Sequence, residues 1–424
     1  MSSRYGRIPV AYILYLLLLL SCSGGESGTG AKSGPQVDKP VGSYTGNIAQ
    51  GVVTGFGSIY LNGVEYNTDT AVIYLDDVPA TESDLKVGMV VTVVGTVNDD
   101  GLTGTALLVS AKSELQGIVD QNKVTGGVGT LTVMLQTIHV NKDTRFKPGN
   151  SGLAMIDELQ AKTHVIQVRG FSDSQGDIYA TYISVVDNPV AVSEVKLSGA
   201  ISNLTATGIG GNFHIGSMLV KFDSNTQFDV NLTQQALVNG ITIGVESSDY
   251  SGTGPVTASK LKLDDVVTDT QGSEMEIQGI VTEDSMLSTE SWFVLNDRIV
   301  RIDGDTVIMG GSTAGITKEA PLQVEGQVQA DSSLLAQQIE FRMSSDMEIV
   351  GTVTDISGDT LTISNVSATQ QIKVDSLTIY EDETDPSNQY FYYSDITPGT
   401  NVEVKYYLDT ASGGYKATSV EKVL

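Results

Sequence analysis

Residues 51–109 read GVVTGFGSIYLNGVEYNTDTAVIYLDDVPATESDLKVGMVVTVVGTVNDDGLTGTALLV, and this stretch contains the unit from which the chain is built. Residues 52–54 and 58–61 alternate apolar with small or polar side chains, which is typical of a half-buried β-strand. Asn62-Gly63 supplies two residues that accept positive φ angles, so a tight hairpin is predicted at this point. The unit therefore begins as antiparallel β-structure.

The rest of the stretch predicts how the unit closes. Thr81 followed three residues later by Asp84 is typical of the cap of a short helical turn, although a polar loop is the alternative. Further strands are predicted at residues 64–66, 71–75, 89–97 and 103–109. Three strands, a helical turn and two strands is the order of a five-stranded OB-type barrel. A β-sandwich of similar strand count is the alternative.

Four landmarks of this unit recur in the same order along the chain, so we predict an all-β protein of five tandem OB-like barrels in a row. The opening glycines are Gly51, Gly117, Gly199, Gly279 and Gly351. The second landmark is Asp69-Thr70, Asp143-Thr144, Asn225-Thr226, Asp305-Thr306 and, weakly, Leu377-Thr378. The third is Val94-Gly95, Val168-Arg169-Gly170 and Val324-Glu325-Gly326, and it is degenerate at Val245-Glu246 and Val404-Lys405. The fourth is Ala106, Ala180, Ala258, Ala336 and Ala417, each of which leads a short apolar strand.

The landmarks predict the domain organisation. The five modules are expected at residues 44–112, 113–190, 191–268, 269–344 and 345–424. The joints between them are short and leave little freedom between neighbouring modules, so the expectation is a semi-rigid rod on the order of 100 Å long or more.

The N-terminal residues predict export and lipidation. Arg4 and Arg7 precede an uncharged run at residues 8–20 that is short for a membrane-spanning helix, so residues 1–21 are interpreted as a signal peptide. The following Leu19-Leu20-Ser21-Cys22 resembles a bacterial lipobox, which implies cleavage before Cys22 and acylation of that residue, the only cysteine. A signal-anchor helix is the alternative. Residues 22–43 are rich in Gly and Ser and predict a flexible linker.

The predicted localisation and the net charge limit the classes of binding partner. In lipoproteins of this kind, a residue other than Asp after the cysteine, here Ser23, favours the outer membrane, on either its periplasmic face or the cell surface. The formal net charge of −27 disfavours binding of nucleic acid, because an anionic surface repels phosphates. The predicted membrane contact is therefore the lipid anchor at Cys22.

The first module resembles a known bacterial repeat family. The segments Gly-Phe-Gly-Ser-Ile at 55–59, Asn-Gly-Val at 62–64, Asp-Leu-Lys-Val-Gly-Met-Val-Val at 84–91 and Val-Gly-Thr-Val at 94–97 are similar to the domain of unknown function 5666. The resemblance is closest in the first module and weaker in the others. It implies tandem repeats in exported proteins and lipoproteins, and it implies no function and no site residue.

The sequence predicts a protein that is not an enzyme and needs no cofactor. His139, His164 and His214 have no His or Cys at metal-ligand spacing, and the chain has no Gly-x-Ser-x-Gly, phosphate-binding glycine loop or His-Glu-x-x-His motif. The paired carboxylates fall at predicted turns or strand ends, where Asp is favoured for local hydrogen bonding. They are Asp76-Asp77, Asp99-Asp100 and Asp264-Asp265.

Two segments are candidate binding sites. Residues 173–177, Asp-Ser-Gln-Gly-Asp, bring together oxygen ligands as calcium loops do, although they lack EF-hand spacing and a hairpin turn is the favoured interpretation. Tyr390, Phe391, Tyr392 and Tyr393 form an aromatic run, with Tyr406, Tyr407 and Tyr415 nearby in sequence, that could contact a glycan or protein partner or could pack in the core.

Two functional hypotheses follow from the sequence. The first is a membrane-anchored exported lipoprotein whose barrels act as a spacer or protein-interaction scaffold. The alternative is a carbohydrate- or calcium-binding envelope protein with a site in one module.

Overall fold

The computed structural model describes residues 46–173, 175–187, 194–248, 250, 252–263, 270–287, 290–296, 298–385, 390–410 and 412–424, without the side chains of residues 284–290. Every described residue belongs to one compact unit, Gly42–Leu424. The predicted signal peptide, the linker and Cys22 lie outside the described residues. In the part of the chain that is described, no helix is long and apolar enough to cross a membrane.

The described residues form β-strands that fall into five sets, which we call barrels one to five. Barrel one contains β1 (Asn47–Gly55), β2 (Ile59–Leu61), β3 (Val64–Asn67), β4 (Val72–Leu75), β5 (Val78–Ala80), β6 (Val90–Val97) and β7 (Thr103–Ala111). Barrel two contains β8 (Leu115–Asn122), β9 (Gly129–Val133), β10 (Gln136–Val140), β11 (Arg145–Lys147), β12 (Val165–Ser172) and β13 (Ile178–Val185). Barrel three contains β14 (Val195–Thr207), β15 (Gly210–Ile215), β16 (Met218–Phe222), β17 (Gln227–Phe228), β18 (Thr242–Ser247), β19 (Val256–Thr257) and β20 (Lys260–Leu263).

The last two barrels repeat the pattern. Barrel four contains β21 (Glu274–Leu287), β22 (Glu290–Leu295), β23 (Arg298–Ile302), β24 (Val307–Met309), β25 (Pro321–Val328) and β26 (Leu334–Phe341). Barrel five contains β27 (Met347–Ser357), β28 (Thr360–Ser364), β29 (Thr369–Lys373), β30 (Ile379–Asp382), β31 (Asn401–Asp409) and β32 (Gly414–Lys422). Within the described ranges, a single-turn 3-10 helix precedes β6, β12, β18, β25 and β31, respectively: Glu82–Asp84, Ile156–Glu158, Gln234–Ala236, Thr313–Gly315 and Tyr393–Asp395.

Strand pairing closes each set into a ring. In barrel one, β1 is antiparallel to β2 and to β6, β2 pairs with β3, β3 runs parallel to β7, and β7 returns antiparallel to β6. The same circuit joins β8-β9-β10-β13-β12, β14-β15-β16-β19/β20-β18, β21-β22-β23-β26-β25 and β27-β28-β29-β32-β31. A closed five-stranded ring in this order is the OB topology, so the predicted all-β, OB-like fold class is confirmed. The exact module limits stay predictions.

The glycine of the third landmark marks a β-bulge. At Gly95, Gly170 and Gly326 the strand slips register against its partner, and a Cβ would overlap a carbonyl oxygen of the neighbouring strand. A bulge bends a strand and increases its twist, which a small closed barrel needs. In barrel three, where the landmark is degenerate, β18 pairs with β20 without a register slip.

The threonine of the second landmark joins two parts of the barrel. The Thr144, Thr226, Thr306 and Thr378 hydroxyls donate hydrogen bonds to the carbonyl of the alanine of the fourth landmark in the same barrel, at 2.8, 2.8, 2.7 and 3.3 Å. Each hydroxyl also accepts a hydrogen bond from the backbone N–H three residues earlier, which closes a turn. The second and fourth landmarks, which are far apart in sequence, are therefore in direct contact in the fold.

The barrels have apolar cores, but not five separate ones. Barrels one, four and five have clusters of their own, and the barrel-four cluster also includes Ile48 of β1. One contiguous cluster extends through barrels two and three, from Leu115 to Leu261.

Contacts are not limited to barrels that are consecutive in the chain, as a simple rod would require. Residues 48–50 of β1 pair in parallel with residues 275–277 of β21, which joins barrel one to barrel four. Barrel one can make this contact because its first strand is long. β2 pairs with β1 only at Val53 and Gly55, so the first half of β1 keeps an unpaired edge on that side. Open edges pair with other strands, and β8 and β14 also join barrels two and three through their first halves, although in antiparallel pairing.

Candidate functional site: contacts and cavities between the barrels

The aromatic run of barrel five is divided between the core and the surface. Phe391 is 4% exposed and belongs to the core of barrel five, and Tyr393 packs against that core. The Tyr393 hydroxyl donates a hydrogen bond of 2.5 Å to the Gly358 carbonyl. Tyr390 is 55% exposed. The four residues therefore do not form one exposed aromatic surface.

Tyr392 connects barrel five to barrel one. Its hydroxyl donates a hydrogen bond to the Phe56 carbonyl, and its ring lies 6.2 Å from that of Tyr60. The contact needs Gly57, because a Cβ at that position, which has a φ of +113°, would overlap the Tyr392 hydroxyl. Sequence reasoning identified these aromatic residues, but this one serves the contact between two barrels.

The candidate calcium loop is a hairpin turn between β12 and β13. Asp173 is buried, and its Oδ1 accepts hydrogen bonds from the backbone N–H groups of Gln175 and Asp177, at 2.9 and 3.0 Å. Its Oδ2 lies 3.7 Å from Lys318 Nζ of barrel four. Ser174 lies outside the described residues. Among the residues that the structure describes, no group of three or more His, Cys, Asp or Glu could hold a metal ion.

The three histidines lie in three different elements. His139 of β10 stacks on Tyr179 with ring centroids 4.6 Å apart, and its Nε2 lies 3.3 Å from Asp177 Oδ2. His164 precedes β12, where its Nδ1 accepts a hydrogen bond from a backbone N–H. His214 lies in β15. The described contacts therefore assign local packing and hydrogen bonding to His139 and His164.

The paired carboxylates fall at turns. Asp100 Oδ1 accepts two backbone hydrogen bonds in the β6–β7 hairpin. Asp76 and Asp77 form the tight β4–β5 turn, with φ angles of +51° and +66°, a region in which Asp is tolerated. Residues 264–265 lie outside the described residues.

Asp76 also carries the ion pair that sequence reasoning missed. Its carboxylate accepts hydrogen bonds from the Arg169 guanidinium of barrel two, at 2.9 and 3.3 Å, and from the Ser113 backbone N–H at 2.7 Å. Lys196 Nζ of barrel three is 3.7 Å away. Burial raises the pKa of Asp76, but the charges of Arg169 and then Lys196 outweigh it and lower the pKa to about 2. The turn therefore stays ionised between three barrels.

Asp77 extends this contact on the other side of the turn. The Lys262 ammonium of barrel three lies 2.5 Å from Asp77 Oδ2 and 2.9 Å from Glu246 Oε1. Burial alone would lower the Lys262 pKa, but the neighbouring carboxylates raise it. The β4–β5 hairpin of barrel one is thus held electrostatically by both of the following barrels.

A second buried ion pair joins barrels two and five. The buried Arg145 guanidinium of β11 pairs with Glu421 of β32, whose Oε1 also lies 3.1 Å from Lys405 Nζ. Burial raises the pKa of Glu421, but Arg145 and then Lys405 lower it to about 2. Asp143, two residues before Arg145, accepts hydrogen bonds of 2.8 Å from residues of barrel five.

Sizeable cavities lie where barrels meet in the described part of the chain. One of about 360 Å³ is lined by barrels one, three and four together with Glu114 at the start of barrel two. One of about 770 Å³ lies between barrels one, two and five and is lined by the Arg145 ion pairs. One of about 400 Å³ lies at the junction of barrels one, two, four and five. Contacts between barrels, and not the interior of any one barrel, therefore form the candidate sites.

These features define a protein of tandem OB-like barrels that are packed against one another. The chain belongs to the domain of unknown function family DUF5666, whose profile matches residues 45–110, 116–184, 278–340 and 350–421. The family resemblance noted in the sequence is thereby confirmed. The matches cover barrels one, two and five and most of barrel four, and they leave barrel three unmatched.

Curated proteins and solved structures give no further information about the function of this chain. No curated protein matches the chain. One solved structure that is similar, "drosophila Unr CSD456", is 15% identical and covers 54% of this chain and 96% of its own, with a TM-score of 0.13. That score is too low to support any argument about this protein.

Proposed function

We propose that this chain is an exported lipoprotein, anchored through Cys22 in the outer membrane, whose barrels act together as a non-catalytic scaffold for a protein partner. The anchor is supported by Arg4 and Arg7, the apolar run after them and the lipobox-like Leu19-Leu20-Ser21-Cys22. Several acyl chains on one cysteine would anchor the protein firmly.

One observation favours a scaffold over a spacer. A spacer needs contacts only between consecutive barrels, whereas barrel one contacts barrel four through β1 and β21 and barrel five through Tyr392. Contacts between distant barrels limit their relative motion, and a rigid surface loses little conformational entropy when it binds a partner. The tandem repeats therefore suit the presentation of a composite surface.

Two experiments test the two parts of this proposal. Metabolic labelling with an alkyne fatty acid should label the full chain in the outer-membrane fraction, and Cys22→Ser should abolish the label. A label that persists in the variant would show that the anchor is assigned wrongly. Protease treatment of intact cells would then distinguish the periplasmic face from the cell surface.

Cross-linking tests the scaffold. A photoreactive residue placed at the exposed Val366 of barrel five or Val230 of barrel three should yield a defined adduct with one envelope protein. Absence of any adduct at these positions and at other exposed ones would remove the support for a scaffold. A rise in melting temperature with millimolar calcium, or a glycan-array signal, would instead favour the calcium- or carbohydrate-binding alternative.

A further inference from the structure

The cavity at the junction of barrels one, two, four and five has the size and lining of a small-molecule site. Its volume of about 400 Å³ falls in the usual range for such sites, which lie preferentially between domains. Val52 of barrel one, Phe171 of barrel two and Ile280 of barrel four form one buried apolar cluster on its wall. Phe341 and Leu377 extend the apolar lining. No single barrel could form this surface.

Arg342 places a positive charge at this apolar site. It follows β26 directly, and its backbone N–H donates a hydrogen bond of 2.9 Å to the Pro321 carbonyl, which positions the residue. Its Nη1 is buried and has no hydrogen-bond partner among the described residues. Burial lowers the pKa of Arg342, yet a guanidinium stays protonated in proteins. A buried cationic donor without a partner is costly, so an anionic acceptor would be stabilised there.

Three of the acidic residues on the cavity wall interact with other protein groups. Asp143 accepts hydrogen bonds from barrel five. Asp375 pairs with Lys416 at 2.6 Å. The charge of Glu319 acts on Tyr179 and, after burial, raises the pKa of that tyrosine. These groups therefore keep their own partners when a ligand enters.

Glu340 is the fourth acidic residue of the wall and lies two residues before Arg342. Its charge acts on Arg342 and raises the pKa of the guanidinium. The same negative charge would repel a bound anion. Glu340 therefore limits the affinity of the site for an acid, and its removal gives a test with a gain of binding.

We propose that this cavity binds a small organic acid that has one carboxylate and an apolar body. Arg342 holds the carboxylate, since a guanidinium matches the geometry of a carboxylate with two parallel hydrogen bonds. The apolar body lies against Val52, Phe171 and Ile280. This site is independent of the lipid anchor and of the protein partner proposed above.

Calorimetric titration of the full chain tests the proposal, with a detergent-matched blank. The probes are phenylbutyrate and phenylbutanol, which share an apolar body and differ in the carboxylate. We expect the acid to bind at least about tenfold more tightly than the alcohol, because charge-assisted hydrogen bonds discriminate by that much or more. Arg342→Gln should lower the affinity for the acid by about tenfold and leave that for the alcohol unchanged. Glu340→Gln should raise the affinity for the acid.

Arg301→Gln is the matched control, because Arg301 is an exposed arginine of the same barrel that pairs with Asp331. It should leave both affinities unchanged. Equal affinity for acid and alcohol, no binding at millimolar concentration, or an Arg342→Gln variant that binds the acid like the wild type would each overturn the proposal. Circular dichroism would verify folding of each variant. If Arg342→Gln does not fold, the comparison of the two probes on the wild type and on Glu340→Gln decides.

Discussion

Replacement of Arg169 by Gln should weaken the packing of barrel one on barrels two and three. Arg169 is 1% exposed, and its guanidinium makes two hydrogen bonds to Asp76. The variant leaves the Asp76 carboxylate with the Ser113 N–H and hydroxyl, with the Gln167 side-chain amide at 2.8 Å and with Lys196 at 3.7 Å. An ion pair in this position is sheltered from water, so its loss is not compensated by hydration.

Two independent free-energy values set limits on the stability that the Arg169→Gln variant should lose. The pKa of Asp76 falls from an ordinary 3.8 to about 2, which corresponds to about 2 kcal/mol of stability from its ionised form. Breaking a buried ion pair by removing one partner costs about 3–5 kcal/mol. Because Lys196 remains near the carboxylate, we expect the lower end for Arg169→Gln, a loss of about 3 kcal/mol in the free energy of unfolding.

Urea unfolding of Gly42–Leu424 at pH 7 measures this loss in the free energy of unfolding. Differential scanning calorimetry of the same protein shows whether barrel one unfolds separately. Asp76→Asn keeps a residue that tolerates positive φ but removes the charge, so it should also be destabilised. The double variant should lose less than the sum of the single variants, because neither charge is then left alone. Arg301→Gln, which removes an exposed ion pair, should change the midpoint little.

The pH dependence of stability provides the result that would contradict this role of the Asp76 ion pair. The folded pKa of Asp76 is lowered, so its stabilisation is present above pH 4 and is lost as the pH falls toward about 2. Asp76→Asn should lack this part of the acid destabilisation. If Asp76→Asn and the wild type show the same midpoint and the same dependence between pH 4 and pH 2, the ion pair does not hold the barrels together and the reasoning is wrong.

Three further outcomes are expected. Gly326→Ala should destabilise barrel four by about 1–3 kcal/mol, because its Cβ would overlap a strand carbonyl, whereas Gly304→Ala, which has open space, should not; equal melting temperatures would contradict this. Thr226→Val should cost about 1–2 kcal/mol in urea unfolding, because it loses the buried hydrogen bonds of the turn, and an unchanged midpoint would refute that role. Burial and then the charge of Glu325 raise the pKa of Glu276 to about 7, so the folded state favours the protonated carboxyl. The free energy of unfolding therefore falls as the pH rises from 4.5 through 7. Glu276→Gln should therefore be more stable than the wild type by about 1–3 kcal/mol at pH 8 and not at pH 5, and a gain of equal size at both pH values would exclude this cause.

Much of the interior of each barrel could be predicted from local patterns. Asn62 and Gly63 adopt φ angles of +54° and +91°, as the predicted hairpin requires. The backbone N–H of Thr81 donates a 2.8 Å hydrogen bond to Asp84, and the predicted helical turn is a 3-10 turn. These features depend on residues a few positions apart, so alternation and turn chemistry are sufficient to predict them.

The candidate sites could be predicted only in part. The aromatic run around Tyr392 and the turn at Asp76 were recognised from sequence, but their partners Phe56 and Arg169 lie 336 and 93 residues away. No local pattern encodes such a distance. An arginine inside an apolar strand, as at Arg169, is the signal that could have indicated a buried ion pair.

The sequence by itself determined that this protein is made of repeated all-β units, because turn residues and alternating strands act within each repeat. The tertiary structure decided which barrels touch, which carboxylates are buried against which cations, and where cavities remain. The physical reason is that the open half of a first strand such as β1 can pair with any equivalent edge. The choice of β21 depends on complementary side chains more than 200 residues away, such as Gln278, whose Oε1 accepts a hydrogen bond from the Val52 N–H.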